Sequence, residues 1–298
     1  MPTKLNRCCS TGVRAQSAME YLMTYGWAIL IIAVVLAALY ELGIFGSLTQ
    51  GPRAVAGSCE VARPFGPGTG TDISLEGQCN GMLPQFVALF NGYSSSMLVS
   101  QSGRLNVSYI TITAWINPSS YNCNSDHCII VNKENEYEIS IADGSGDLNG
   151  AFDTDWAWYG PSNAIPIGRW SFVAVTWDGT TQRYYINGVE VYQLNAGSGP
   201  LTPQNTCFRI GARNGCSTPG SFFPGSIANV QLYNASLTSA EIQALYMEGI
   251  GGAPVRPSNL VGWWPLNGNA NDYSGNNNNG QASGVSYSSQ WTGGYTQP

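Results

Sequence analysis

Two hydrophobic patterns divide this chain. Residues 22–40 form an apolar run without a charge; as a helix it would span roughly 28 Å, close to a bilayer core. Beyond Gln85 the pattern becomes short β-branched and aromatic segments split by Gly, Asn and Pro, the mark of many short strands. Strands are expected at 86–90, 97–99, 110–116, 128–132, 137–142, 170–177, 183–186, 208–212 and 225–233. The clearest is Trp170-Ser171-Phe172-Val173-Ala174-Val175-Thr176-Trp177. The Asn187-Gly188 pair, flanked by Tyr185-Ile186 and Val189-Glu190-Val191, predicts a hairpin turn. One short helix is expected over 239–247, capped by Ser236 or Ser239 with Glu241 in its first turns. Many strands with few helices predict a mainly β sandwich or jelly roll.

Between these patterns, residues 46–85 are rich in Gly, Pro and Ser and predict a linker without regular structure. Lys and Arg number 12 against 18 Asp and Glu, and only 10% of the chain is charged. Nucleic acid, which demands clustered cations, is excluded as a partner. Scarce Lys and Glu, the good surface helix formers, also disfavour a mostly helical fold.

Of eight cysteines, Cys8 and Cys9 precede the apolar run. The others fall into local couples: Cys59 with Cys79, Cys123 with Cys128, Cys207 with Cys216. An even set beyond a hydrophobic segment points to disulfides and an oxidising compartment. Neighbour pairing is one of the connectivities that six cysteines allow. A metal site is the weaker reading, since no C-x-x-C occurs and His127 is the only histidine.

Lys4, Arg7 and Arg14 flank the apolar run on one side and no cation follows until Arg53, which keeps the N-terminus cytoplasmic. No small-x-small cleavage site follows the run. Glu20 stands at its lip, where a carboxylate costs about 2–3 kcal/mol unless partnered. Arg14-Ala15-Gln16-Ser17-Ala18-Met19-Glu20-Tyr21 resembles the class III signal peptide of archaeal type IV pilins. The resemblance implies that a prepilin peptidase cuts between Ala15 and Gln16. The helix then stays in the mature chain, and Glu20 neutralises the new amine of a neighbouring subunit. A single-pass anchor with a snorkelling Glu20 is the simpler alternative.

Several further pieces, in order, resemble the laminin-G-like, concanavalin-A-like jelly-roll family over about residues 86–249. They are Phe90-Asn91-Gly92 with Ser94–Met97, Ile112-Thr113-Ala114-Trp115-Ile116-Asn117-Pro118, Gly168-Arg169-Trp170 through Gly179, Tyr185-Ile186-Asn187-Gly188, and Phe223–Tyr233 running into Leu237-Thr238-Ser239-Ala240-Glu241-Ile242. The tail from Leu260-Val261-Gly262-Trp263-Trp264 onward is similar to that family's opening strand, yet comes last. Residues 260–298 are too few for another sandwich, so a circular permutation that completes the same one is expected. The organisation is then a leader (1–15), an assembly helix (16–48), a linker with a cysteine pair (49–85), the jelly roll (86–249) and a completing segment (250–298).

Candidate chemistry lies in a few places. Asp153, Asp155, Trp156, Trp158 and Tyr159 set aromatic platforms among carboxylates, a combination suited to the CH faces and hydroxyls of sugars. Burial of one indole in the core is the competing expectation. Calcium is the one candidate cofactor, with Asn271, Asp272 and Asn276 as oxygen ligands. Alternating Glu134, Glu136 and Glu138 would line one strand face, and a glycosidase needs paired carboxyls about 5–5.5 Å apart. The jelly-roll resemblance instead turns Tyr137, Ile139 and Ile141 inward and leaves those glutamates solvated. Asn106-Val107-Ser108 and Asn234-Ala235-Ser236 are glycosylation sequons.

Taken together, the expectation is a non-enzymatic subunit of a pilus-like surface filament. It would reach the cell membrane as a precursor, assemble with pilin subunits, and expose a lectin-like head for adhesion to glycans. A membrane-tethered carbohydrate-binding protein that does not assemble is the alternative, and a glycoside hydrolase the third.

Overall fold

The computed structural model describes residues 15–41, 53–63, 66, 75–76, 82–123, 125–153 and 156–298. The chain separates into two units, Met1–Gly51 and Pro52–Pro298.

The first unit contains α1 (Ala15–Glu41). It has no proline, and Ala, Leu, Met and Ile carry most of it, so nothing breaks the ladder of backbone hydrogen bonds. Met23, Trp27, Ile29, Leu30, Ile31, Ile32, Val34, Val35 and Leu36 are exposed. Among the described residues no helix is long and apolar enough to cross a membrane. Ala15, Gln16 and Glu20 belong to the helix, but their side chains lie outside the described residues.

The second unit opens with four two-residue strands: β1 (Arg53–Ala54), β2 (Glu60–Val61), β3 (Leu75–Glu76) and β4 (Leu83–Pro84). β1 pairs with β4 in parallel and β2 with β3 antiparallel. The stretch read as an unstructured linker therefore carries short pairings. Next come β5 (Val87–Asn91), β6 (Ser96–Val99), β7 (Ile110–Pro118), β8 (His127–Lys133), β9 (Tyr137–Ala142) and β10 (Leu148–Phe152). Then follow β11 (Ser171–Trp177), β12 (Thr181–Ile186), β13 (Val189–Asn195), β14 (Phe208–Ile210) and β15 (Pro224–Tyr233). After the helix α2 (Ser239–Met247), the chain closes with β16 (Leu260–Trp264), β17 (Gly280–Ser283) and β18 (Ser286–Ser288).

The longer strands form two antiparallel sheets. The larger has the order β13-β12-β11-β7-β15-β5-β18, with β16 also on β15; the smaller runs β10-β9-β8-β14-β6-β17. The C-terminal segment thus feeds both sheets: β16 pairs β15, β17 pairs β6 and β18 pairs β5. The result is a mainly β, antiparallel jelly-roll sandwich.

Burial explains why β11 reads as a continuous apolar run. Every residue of β11 is buried. Val173, Val175 and Trp177 face the core between the sheets, with Ile110, Ile112 and Ile116. Phe172 and Ala174 point the other way, into a second core with Trp115, Trp263, Trp291 and the helix residues Ile242 and Leu245. Successive side chains of a strand alternate between faces, so a sheet covered on both sides loses its polar positions. The cap of α2 is Thr238 rather than either serine: its hydroxyl accepts from Glu241 N–H while the Glu241 side chain accepts from Thr238 N–H. This reciprocal pair satisfies two amides at once.

Candidate functional site

The outer face of the smaller sheet carries a charged and aromatic corner. His127 opens β8, and Cys123–Cys128 closes a short loop around it with Cα atoms 5.0 Å apart. Trp158 stacks on the imidazole with ring centres 3.9 Å apart, and the guanidinium carbon of Arg213 lies 5.9 Å from the same indole. Arg213 Nε donates to Glu138 Oε1 at 3.0 Å. Asn132 Nδ2 donates to Glu138 Oε1 at 2.7 Å and to Glu134 Oε2 at 3.1 Å.

A disulfide-closed loop covers this face. Cys207 and Cys216 are bonded with Cα atoms 4.8 Å apart. Within the loop Gly215 N–H donates to Asn132 Oδ1 at 3.0 Å, and buried Arg209 donates to Ser217 O at 2.8 Å. The two pairings match the expected neighbours. Cys59 is also disulfide-bonded, and Cys79 lies outside the described residues.

The glutamates depart from the solvated row expected of them. Glu134 sits in the turn after β8, half-buried. Glu136 and Glu138 are fully buried. Glu136 pairs with Lys133 and Glu138 with Arg213. Tyr137, Ile139 and Ile141 do face the core between the sheets. Burial, partly offset by Arg213, pushes the Glu138 carboxyl up to about 7.

That shift has a definite sign. The folded state holds the Glu138 proton more tightly than the unfolded chain, so its contribution to stability is complete below about pH 4.5. It is lost as pH rises to 7 and is constant above that. The size is on the order of 3 kcal/mol. His127, whose pKa burial lowers, acts with the opposite sign, so the diagnostic is a difference between proteins. Relative to wild type, Glu138→Gln should be more favourable at pH 8 than at pH 5 by about that amount in denaturant unfolding. An equal difference at both pH values would contradict the assignment.

The residues expected to bind sugar are only partly brought together. Trp156 and Trp158 are half-buried, and neither indole is a core residue. Trp156 has φ +49° and its N–H donates to Phe152 O at 2.8 Å. Tyr159 bridges Gly150 through its backbone and packs against the core. Asp153 Oδ2 accepts from Thr202 N–H at 2.6 Å, so it ties a neighbouring loop. Asp155 lies outside the described residues.

Two of the calcium candidates, Asp272 and Asn276, are tied into the fold. Asp272 is buried and its oxygens accept from the N–H groups of Trp263, Ser274 and Asn278 at 2.8–2.9 Å. Asn276 Nδ2 donates to Leu260 O and Val261 O, and Asn271 is exposed in a turn. The oxygens of Asp272, each already accepting backbone N–H groups, do not fit a calcium ligand. Among the described residues no group of three or more His, Cys, Asp or Glu could hold a metal. Both sequon asparagines, Asn106 and Asn234, line one groove of about 210 Å³ with Arg63 and Arg104. Arg213 and Asn132 were not singled out by sequence, and His127 only as the lone histidine weighed against a metal site; their roles depend on contacts across strands.

The pattern of the concanavalin A-like lectin/glucanases superfamily matches residues 91–243, more than half of the 298. No curated protein matches the chain. Among solved structures, a Bacteroides ovatus protein named for carbohydrate binding is 20% identical with a TM-score of 0.56. The match covers 72% of this chain and 62% of that one, so the chain spans less than two thirds of its length. The heptameric SAP-like pentraxin of Limulus polyphemus is 16% identical with a TM-score of 0.47, covering 68% of this chain and 94% of that one. Domain 4 of AbnA, an arabinanase from Geobacillus stearothermophilus solved with arabinotriose, is 21% identical with a TM-score of 0.40. That match covers 65% and 85% of the two chains.

Proposed function

The chain belongs to the concanavalin A-like lectin/glucanase superfamily, and from that premise we propose that it is a lectin-like surface protein binding glycans at the corner of Trp156, Trp158 and Arg213. The observation that carries this reading is two half-buried indoles on one loop, the second held beside a fixed guanidinium. Indole surfaces favour the CH faces of a sugar ring, and Arg213 offers N–H donors to its hydroxyl or carboxyl oxygens. The similar Bacteroides ovatus protein, named for carbohydrate binding, supports the same class of ligand. Binding is favoured over hydrolysis because Glu136 and Glu138 are engaged by Lys133 and Arg213. On a glycan array, the full chain should bind a defined subset of sugars. Trp156→Ala and Trp158→Ala should each weaken that binding about tenfold or more, ~1–2 kcal/mol. Wild-type affinity in both variants would remove this corner from consideration.

The exposed apolar side chains of α1 favour a further element: anchoring of the head to a membrane or, after cleavage between Ala15 and Gln16, to a pilus-like filament. In the filament Glu20 would pair with the amine of Gln16 on a neighbouring subunit. N-terminal sequencing of protein isolated from cells should read from Gln16, and electron microscopy should find filaments containing the chain. A mature start beyond residue 45 would leave only a secreted lectin-like domain.

A further inference from the structure

Away from the glycan corner, three side chains converge at the inner end of the β8–β9 hairpin. Lys133 and Glu136 are wholly buried and touch through Nζ and Oε2. Lys133 Nζ also lies 2.9 Å from Asn106 Oδ1 and 3.1 Å from Gln204 O. Since the amide C–O bond is about 1.2 Å, the amine is within about 4 Å of the Asn106 carbonyl carbon. Phe208 pairs with Lys133 across the sheet, Lys133 Nζ lies 6.0 Å from the Tyr137 ring centre, and Leu105 and Val107 flank Asn106 in the chain; all four are buried.

We propose that Lys133 and Asn106 form an intramolecular isopeptide bond, with Glu136 as the proton carrier. The uncharged amine of Lys133 attacks Cγ of Asn106. The Glu136 carboxyl takes the proton the amine gives up and delivers one to Nδ2, which leaves as ammonia. One C–N bond forms, one breaks, Glu136 returns to its starting state, and no co-reactant is consumed. Three observations supply what this step needs. Proximity replaces a bimolecular encounter. Burial lowers the Lys133 pKa and raises that of Glu136, which favours the neutral amine and neutral acid over the ion pair. Glu136 Oε2 faces Lys133 Nζ and accepts from Gln204 N–H, while buried Oε1 lies beside the Val107 N–H, so the carboxyl touches the attacking amine directly. Asn106 lines the groove of about 210 Å³, which gives ammonia a way out.

The bond would tie the segment before β7 to the end of β8, across a hairpin that also meets Gln204. The test is a tryptic digest of the full chain purified from its native cells, read by tandem mass spectrometry. The expected product is a branched peptide joining the Asn106 and Lys133 segments and lighter than their sum by one ammonia. Sequencing the branch separates this from ammonia lost elsewhere, as from an N-terminal glutamine. Recovery of separate peptides with intact Asn106 and free Lys133 would overturn the proposal, and so would a glycan on Asn106. In Glu136→Gln, checked for folding by circular dichroism, the branched peptide should disappear. Its undiminished yield there would exclude Glu136 as the proton carrier. The wild-type digest decides the bond without any variant.

Discussion

Truncation after Asn259 should leave a chain with no cooperative unfolding transition. The removed residues supply β16 to the larger sheet beside β15, β17 to the smaller sheet beside β6, and β18 beside β5. They also carry three buried indoles. Trp264 stacks on Phe208 with ring centres 5.0 Å apart in the core between the sheets. Trp263 and Trp291 belong to the second core, where Trp291 accepts from the Trp170 indole through its carbonyl and donates to Pro84 O. Losing one buried tryptophan costs roughly 3–5 kcal/mol. Losing three exceeds most of the 5–15 kcal/mol, approximately, by which a domain is stable. Thermal melts followed by near-ultraviolet circular dichroism provide the measurement. A truncated chain that melts within a few degrees of the full one would mean the tail is an appendage.

Asp272→Ala should cost about 3–5 kcal/mol, a large effect for one exposed-looking position in an Asn-rich stretch. Its carboxylate collects the N–H groups of Trp263, Ser274 and Asn278. Alanine would orphan three donors, all on buried residues and each worth roughly 1–3 kcal/mol. Because Trp263 lies in β16, the loss propagates to the strand that completes the larger sheet. The same experiment separates this role from calcium binding. Chelator should leave the wild-type melting temperature unchanged while Asp272→Ala lowers it. A melting temperature that drops on chelation to that of the variant would restore a metal to the loop.

Much of the β core was legible because burial on both faces writes itself as a run. The segments at 137–142 and 170–177 coincide with β9 and, within one residue, β11. Other strands escaped notice for definite reasons. β10 (Leu148-Asn149-Gly150-Ala151-Phe152) contains Asn-Gly, which reads as a turn. In the fold Gly150 is needed because a Cβ would meet the Tyr184 hydroxyl at 2.8 Å. β17 and β18 are short, polar and largely exposed, so they carry no hydrophobic signature and exist only because β6 and β5 offer edges. The glutamate row misled for a related reason: period-two spacing assumes a strand, and Glu134 and Glu136 occupy the turn between β8 and β9.

Sequence by itself pointed to the mainly β class, to the helix that begins at Ser239, to a helix near the N-terminus, and to Cys123–Cys128 and Cys207–Cys216 as one of the pairings open to six cysteines. Each of these is written in residue type at short range: β-branched runs, closely spaced cysteines, a helical stretch with Glu241 in its first turns, an uncharged stretch without proline. Tertiary structure alone decided that Glu138 meets Arg213, that Asp272 gathers three backbone amides, and that buried Lys133 and Glu136 meet half-buried Asn106. Those outcomes depend on which strands lie side by side and on the exclusion of water, which sets the protonation and partners of charged groups. Neither is encoded in the spacing of residues along the chain.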